Sequence, residues 1–430
     1  MTSTSSPPQS IWIEHPNQTM ANVGDMAMLI MDVERAHCLF PDARIVTPTK
    51  PADWLARHCP AAKRISASGL YRLSWRQLLP DRLARFLGME AFERHWLLRN
   101  ADQYLRIIAW RNRLRGQADP QTQVELDQLR RSDLVIAAGG GYFNDTFAGP
   151  AVRCTKVLLI AQSLGIPTFL FGQGLGPINR PDTRELLGTM LRRSRLIGLR
   201  EGILGPRLLQ ELGVTDSQYR VTGDGAIELA ARERVDELGD HLGFNIRIAK
   251  YANPQAMDLV KVGHLVAEFA QGLNVPVMPC PIYFGQKEPD EPAARAALPS
   301  SCQVYREACP FDPLEVIRRV RRCRVVVTGS YHAAVFALAQ GIPVIGLAAS
   351  QYYASKFDGL AGMFGAAMSV VYLDQPEVAT TLVARMAQHW RKAAHLRAEC
   401  REAADRQRQW NREVWAAVPG NLSANSNQPR

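Results

Sequence analysis

Among the side chains that do proton chemistry, His332 has the most telling surroundings. It closes the stretch Thr328-Gly329-Ser330-Tyr331-His332, between an apolar run at 324–328 and an Ala-rich run at 333–340. Strand, turn and helix in that order put the imidazole in the first turn of a helix. Free N–H groups and the helix dipole there favour anions and disfavour imidazolium. An imidazole so placed can shuttle a proton beside a phosphate. A lone histidine in an apolar setting is more often a satisfied core residue, but a place at a strand end argues for a site. Two glycine-rich stretches point the same way. Gly139-Gly140-Gly141 follows the apolar run 134–138, and Gly172-Gln173-Gly174-Leu175-Gly176-Pro177 follows 168–171. Glycines at strand ends let the backbone approach a ligand, or merely permit a tight turn. Two such loops in succession point to a cleft. Neither ends in Gly-Lys-Ser/Thr, and the second lacks full dinucleotide spacing, so neither a Walker loop nor an NAD site is supported.

These residues need elements that bring strand ends together. Short β-branched runs at 134–138, 168–171, 196–199 and 219–222 alternate with helical patterns at 150–164, 181–194 and 204–212. Ahead of them, 11–29 reads as a strand and a turn leading into a helix, and 44–47 as a strand. Residues 60–118, rich in Arg, Leu and Trp, read as a helical insertion. After a charged linker at 228–241 the alternation resumes. Strands are expected at 243–246, 275–278, 324–328 and 341–347, and helices at 256–271, 313–322 and 331–340. Residues 284–300 read as a loop. A basic helix is expected at 376–418, and 1–10 and 419–430 are expected to be disordered. Two βα series joined by a linker imply two facing α/β domains, 11–227 and 242–375.

The order of motifs resembles the polysaccharide pyruvyl transferase family. The family's last motif, a strand, a Ser/Gly-x-x-His turn, an Ala-rich helix, then Gly-x-Pro and a strand, is similar to 325–347 here. Asn22-x-Gly24-Asp25, the triple glycine trailed by Asp145, Gly172 to Pro177, Arg200-Glu201, Gly223-Asp224-x-Ala226 and Lys356 follow the family's remaining motifs in order. The resemblance spans about 20–365. It implies a GT-B-like fold, two Rossmann-like domains facing a central cleft, and transfer of a pyruvyl group from phosphoenolpyruvate to a glycan or lipid-linked sugar as a cyclic ketal. Arg200, Arg247 and Lys356 are then candidate clamps for the donor's phosphate and carboxylate. His332 is the candidate acid, and Asp25 and Asp145 are candidate bases. Gly139, Gly140, Gly141, Gly172, Gln173, Gly174, Ser330 and Tyr331 would line the substrate site. Lys356 is expected on a loop opening on the same cleft. As alternatives, Arg200 would form a structural ion pair and Asp145 a helix cap. Family members commonly carry Arg two residues before the histidine, where this chain has Ser330. Another arginine replaces it, the donor differs, or the transfer is lost. The competing readings are a GT-B glycosyltransferase using a nucleotide-sugar and a non-catalytic anion-binding homologue.

Bulk properties fit. The 430 residues exceed one hydrophobic core. A net charge of +10 favours anionic partners. No aromatic-interleaved basic strand or recognised module supports nucleic-acid binding. The eight cysteines form no CxxC pair and no zinc-ligand spacing, so no metal or cofactor is expected and a reducing compartment is implied. The polar start lacks the apolar core of a signal peptide, and no run of about 18 apolar residues occurs. A cytoplasmic protein is expected, with peripheral membrane contact allowed.

Overall fold

The structure, a computed structural model, describes residues 7–66, 120–247 and 259–422 together with Leu70, Gln103, Arg106 and Trp110. The expected insertion at 60–118 thus falls largely outside the described residues.

The first sheet has eight strands: β1 (Ser10–Glu14), β2 (Arg44–Pro48), β3 (Ala62–Ile65), β4 (Leu134–Ala137), β5 (Gly140–Phe143), β6 (Thr168–Leu175), β7 (Leu196–Leu199) and β8 (Tyr219–Val221). They run parallel in the order β3-β2-β1-β4-β6-β7-β8, and β5 pairs with β6. Helices α1 (Val23–Leu39), α2 (Ala52–His58), α3 (Pro120–Arg130), α4 (Ala148–Ser163), α5 (Pro181–Arg193), α6 (Leu204–Glu211) and α7 (Ala226–Ala231) belong to this half. The second sheet holds β9 (His241–Asn245), β10 (Val277–Pro279), β11 (Cys323–Thr328), β12 (Val344–Ala348) and β13 (Met368–Tyr372), parallel in the order β10-β9-β11-β12-β13. With it go α8 (Leu259–Gly272), α9 (Asp290–Ala297), α10 (Pro313–Val320), α11 (Tyr331–Gln340) and α12 (Gln351–Phe364). The chain ends its described part in the 39-residue α13 (Val378–Ala416) and the short α14 (Val418–Leu422).

Local chemistry accounts for these elements. All four residues of β4 are buried, as expected of a parallel strand covered on both faces. Asn22 starts α1 by accepting from the N–H groups of Gly24 at 2.9 Å and Asp25 at 3.3 Å. All ten residues of α11 are buried, and Gly341, with φ of +87°, ends it in the left-handed conformation.

The halves join through apolar packing. One core cluster runs continuously from Ile11 and Met28 through Ala230 to Phe336 and Trp415. The backbones also meet at the cleft rim, where Val23 N–H donates to Ile282 O at 3.0 Å and Phe284 N–H to Ala21 O at 2.8 Å. The expected linker overlaps this packing. Residues 228–231 lie in α7 and are buried, so the segment between regular elements is 232–240.

Three local expectations are corrected. Residues 284–300 hold α9, whose Asp290 and Glu291 stand in its first turn ahead of an alanine run. Lys356 sits on α12 and not on a loop. Residues 418–422 are helical, so part of the tail from 419 is ordered against α13.

Candidate active site

Both sheets reverse their winding near the middle: β1 lies between β2 and β4, and β9 between β10 and β11. Crevices open at the carboxyl ends of strands at such points. The segments after β1, β4, β9 and β11 meet across the domain boundary around a cavity of about 370 Å³. Asn17, Asn22 and Asp25 come from the first segment, Gly141 and Tyr142 from the second, Arg247 from the third, and Ser330, Tyr331 and His332 from the fourth. Arg200, after β7, Tyr283, after β10, and Tyr352, Tyr353 and Lys356, from α12, also line it.

Three cations enter the cavity. Arg200 is 2% exposed; its guanidinium stands 4.0 Å from the Tyr331 ring centre, with Nη1 3.8 Å from Asp224 Oδ2. Lys356 Nζ lies 3.8 Å from the Tyr352 ring centre and donates to the Tyr352 hydroxyl, which donates to Gly141 O at 3.2 Å. Arg247 lies over Tyr283 and is tied to Asp290 Oδ1 and to Glu288 O, each at 3.1 Å. Two helices point their N-termini at the same space. Ser330 and Ser350 precede α11 and α12 without a side-chain capping bond, which leaves first-turn N–H groups for a ligand.

Burial sets the protonation states. It holds the His332 imidazole well below its usual range, with Arg200 and Lys356 repelling a second proton. It also lowers the Lys356 amine, helped by Arg200 and opposed by Asp25 and Asp224. The Asp25 and Asp224 carboxyls are raised by burial, against a hydrogen bond from Asn17 in the first case and the charge of Arg200 in the second. Asp224 Oδ2, His332 Nε2 and the Tyr331 hydroxyl are buried without a hydrogen-bond partner among the described residues.

The glycines serve this cluster by lacking side chains. A Cβ on Gly24 would fall 2.0 Å from His332 Cγ; one on Gly141 or Gly174 would fall 2.4 Å from an Arg200 guanidinium nitrogen. The Asn-x-Gly-Asp motif thus admits His332 from the opposite domain, and the glycine-rich stretches admit Arg200.

Of the expected residues, Asp25, Gly141, Arg200, Arg247, Ser330, Tyr331, His332 and Lys356 line the cavity. The others do not. Gly139 and Gly140 lie beneath it at the joint of β4 and β5, where Gly139 N–H reaches Asp32 at 3.3 Å. Gly172 and Gln173 belong to β6, and Gln173 Nε2 donates to Ala137 O, Ala138 O and Phe171 O. Gly174 faces a smaller pocket behind Arg200 and Lys356. Asp145 is corrected as a candidate base: β5 carries the chain past the cavity, and Asp145 Oδ2 accepts from Asn179 N–H at 2.5 Å. Glu201 does not pair with Arg200; it caps α6 by accepting from Ile203, Leu204 and Gly205 N–H groups. Asp224, Asn17, Tyr352 and Tyr283 were not expected at the site. Gly223-Asp224 was the one available signal, since a glycine before an acid after a strand fits a turn aimed at a crevice. No cluster of three or more potential metal ligands occurs among the described residues.

No curated protein matches the chain. Solved structures match it at low identity. The Staphylococcus aureus MnaA–UDP co-structure is 13% identical with a TM-score of 0.57, covering 98% of this chain and 99% of that one. UDP-GlcNAc 2-epimerase from Neisseria meningitidis bound to UDP-GlcNAc is 12% identical with a TM-score of 0.55, covering 97% and 100%. Anabaena Alr3699/HepE in complex with UDP and glucose is 12% identical with a TM-score of 0.55, covering 96% and 100%. These likenesses give the fold, two α/β domains of the GT-B kind. A family model described as polysaccharide pyruvyl transferase matches residues 22–351, well over half of the chain. On that match, the chain belongs to the polysaccharide pyruvyl transferase family.

Proposed function

We propose that this protein transfers the pyruvyl group of phosphoenolpyruvate to two hydroxyls of a sugar on a glycan or lipid-linked precursor, in the cytoplasm or at the inner face of the membrane. One observation carries the reading: three cations and two uncapped helix N-termini converge on a single cavity. A small ligand bearing both a phosphate and a carboxylate suits that arrangement. Arg247, in the segment after β9 and beside Gly329, supplies a guanidinium that does the work of the arginine that position 330 lacks. The directions of the shifts favour these roles. Asp25, whose carboxyl burial shifts toward its protonated form, gives its proton to the methylene carbon. A sugar hydroxyl adds to C2 as neutral His332 takes its proton, reversing the acid role expected from the sequence. Phosphate then leaves C2 carrying the proton held by His332, and the second hydroxyl bonds to C2 and closes the ketal as its proton passes to the Asp25 carboxylate.

Thermal-shift measurements with phosphoenolpyruvate, UDP, GDP and CMP, followed by kinetics on a panel of glycosides, test this. Phosphoenolpyruvate alone should stabilise the protein. His332→Ala should abolish turnover, a loss of ~10²–10⁴-fold, and Lys356→Ala should mainly raise the KM for the donor. Stabilisation by UDP alone would instead make it a nucleotide-sugar enzyme.

A further inference from the structure

Asp224 does not line the cavity, yet it touches two residues that do. Its Oδ1 accepts from Ala226 N–H at 2.9 Å and is committed to the start of α7. Its Oδ2 has no hydrogen-bond partner and lies 3.7 Å from His332 Nε2 and 3.8 Å from Arg200 Nη1. The turn that aims it is fixed. Gly223 has φ of +80°, and a Cβ there would fall 2.4 Å from Gln407 Oε1. On the other side of the ring, Nδ1 packs against Gly24, between Asn22 and Asp25, which line the cavity. One nitrogen therefore faces a carboxyl inside the protein, and the other lies against the Asn22–Asp25 turn that borders the cavity.

We propose that Asp224 is the positioning residue of an Asp224–His332 pair: it keeps the imidazole proton on Nε2 and leaves the Nδ1 lone pair for the sugar hydroxyl. The inference rests on the reading of His332 as the base of pyruvyl transfer. In the step, the hydroxyl O–H bond breaks, its proton bonds to Nδ1 and its oxygen bonds to C2. The imidazolium so formed directs Nε2–H at Asp224, which offsets the repulsion from Arg200 and Lys356. A separation of 3.7 Å is long for a hydrogen bond, and such pairs tighten as the reacting complex forms. An acid that orients the base through its second nitrogen is a recurring device in proton-transfer sites. Arg200 has other supports, the Tyr331 ring and the Gly141 and Gly174 walls. Replacing the Asp224 carboxyl therefore falls on turnover more than on donor binding.

Nitrogen NMR of histidine-labelled protein reads the tautomer directly, with the His332 signal assigned by its loss in His332→Gln. The wild type should show Nε2–H. In Asp224→Asn, which keeps the side-chain volume and the Oδ1 cap, the amide donates to Nε2 and the ring should change to Nδ1–H. kcat should fall ~10²–10⁴-fold, while the KM for phosphoenolpyruvate stays near its wild-type value. A wild-type Nδ1–H tautomer overturns the proposal whether or not the variant folds. So does an unchanged tautomer in a folded variant, or a raised KM with unchanged kcat. A tautomer change in a protein that consumes no phosphoenolpyruvate supports the pair and sinks the pyruvyl reading alone.

Discussion

His332 and Gly24 come from opposite domains and occupy one space, so each limits what the other position tolerates. Gly24→Ala would drive a methyl into the imidazole. The substitution should cost about 1–3 kcal/mol in denaturant unfolding and abolish turnover, whereas the neighbouring, fully buried Val23→Ala should lose stability and keep activity. The same burial fixes the direction of the pH response. In the proposed reaction neutral His332 is the working form, and burial, Arg200 and Lys356 lower its pKa. The acid limb of kcat/KM should therefore fall below the 6.5 usual for histidine. The carboxylic acid form of Asp25 works at the other end, and its raised pKa extends that form upward in pH. Activity should fall as pH rises through that pKa. An acid limb above pH 6.5 would mean that the imidazolium is the active species. His332, Arg200 and Lys356 were legible in the sequence because their motifs keep order and spacing. The work of Gly24, Gly141 and Gly174 was not, because the side chain each avoids comes from a distant segment.

Helix ends do most of the positioning at the next scale. Helices α1, α11 and α12 all begin at the cavity, and only α1 has its first N–H groups satisfied by a capping side chain. The sequence reading found α1 and α11 but missed α12. Residues 351–364 follow a favoured cap type, Ser350, but open with Gln-Tyr-Tyr, and the Ser350 side chain makes no capping bond. Helix α9 was hidden by its prolines, although Pro289 and Pro292 sit at its start, where proline is tolerated. That helix matters through Asp290. It accepts from the Ile282 and Tyr283 N–H groups and holds Arg247 at 3.1 Å. Asp290→Ala would take the carboxylate away from the enclosed guanidinium and loosen the rim loop. A loss of about 3–5 kcal/mol in denaturant unfolding is expected, together with a higher KM for phosphoenolpyruvate. An unchanged KM would remove Arg247 from the donor site.

Across the whole molecule, the net charge is less available than composition implies. Arg318 and Arg321 bond to Glu233, Arg319 to Glu307 O, and Arg324 to Trp390 O. Helix α13 is the main user of such pairs. Arg408 and Arg412 both reach Glu228 of α7 at 3.0 Å, and Arg234 binds Asp405 at 2.9 Å. The two arginines bring the Glu228 carboxyl down from 4.5 to about 2, overcoming the opposing effect of burial. Because the folded pKa is depressed, the stabilisation is fully present above pH 4.5 and lost as pH falls toward 2. Glu228→Gln should cost about 1–2 kcal/mol at neutral pH, allowing for solvent screening, and the difference from wild type should vanish over that acidic window in chemical unfolding curves. The basic helix was visible in the sequence from its periodicity. Its destination was not, since nothing local says that Trp415 packs at a tilt against Phe171 of β6, with ring centres 4.3 Å apart.

That contact bears on the order in which the protein is completed during synthesis. Strands β1 to β8 leave the ribosome first, yet the core beneath them includes Trp415 and Val418. The nascent first domain must wait, with the apolar faces of α1 and α7 uncovered, while the second domain is translated. Partial chains that look like a complete amino-terminal domain should need chaperones and aggregate when expressed alone. Ribosome stalling shortly before residue 415 would leave both domains present and the molecule still unfinished.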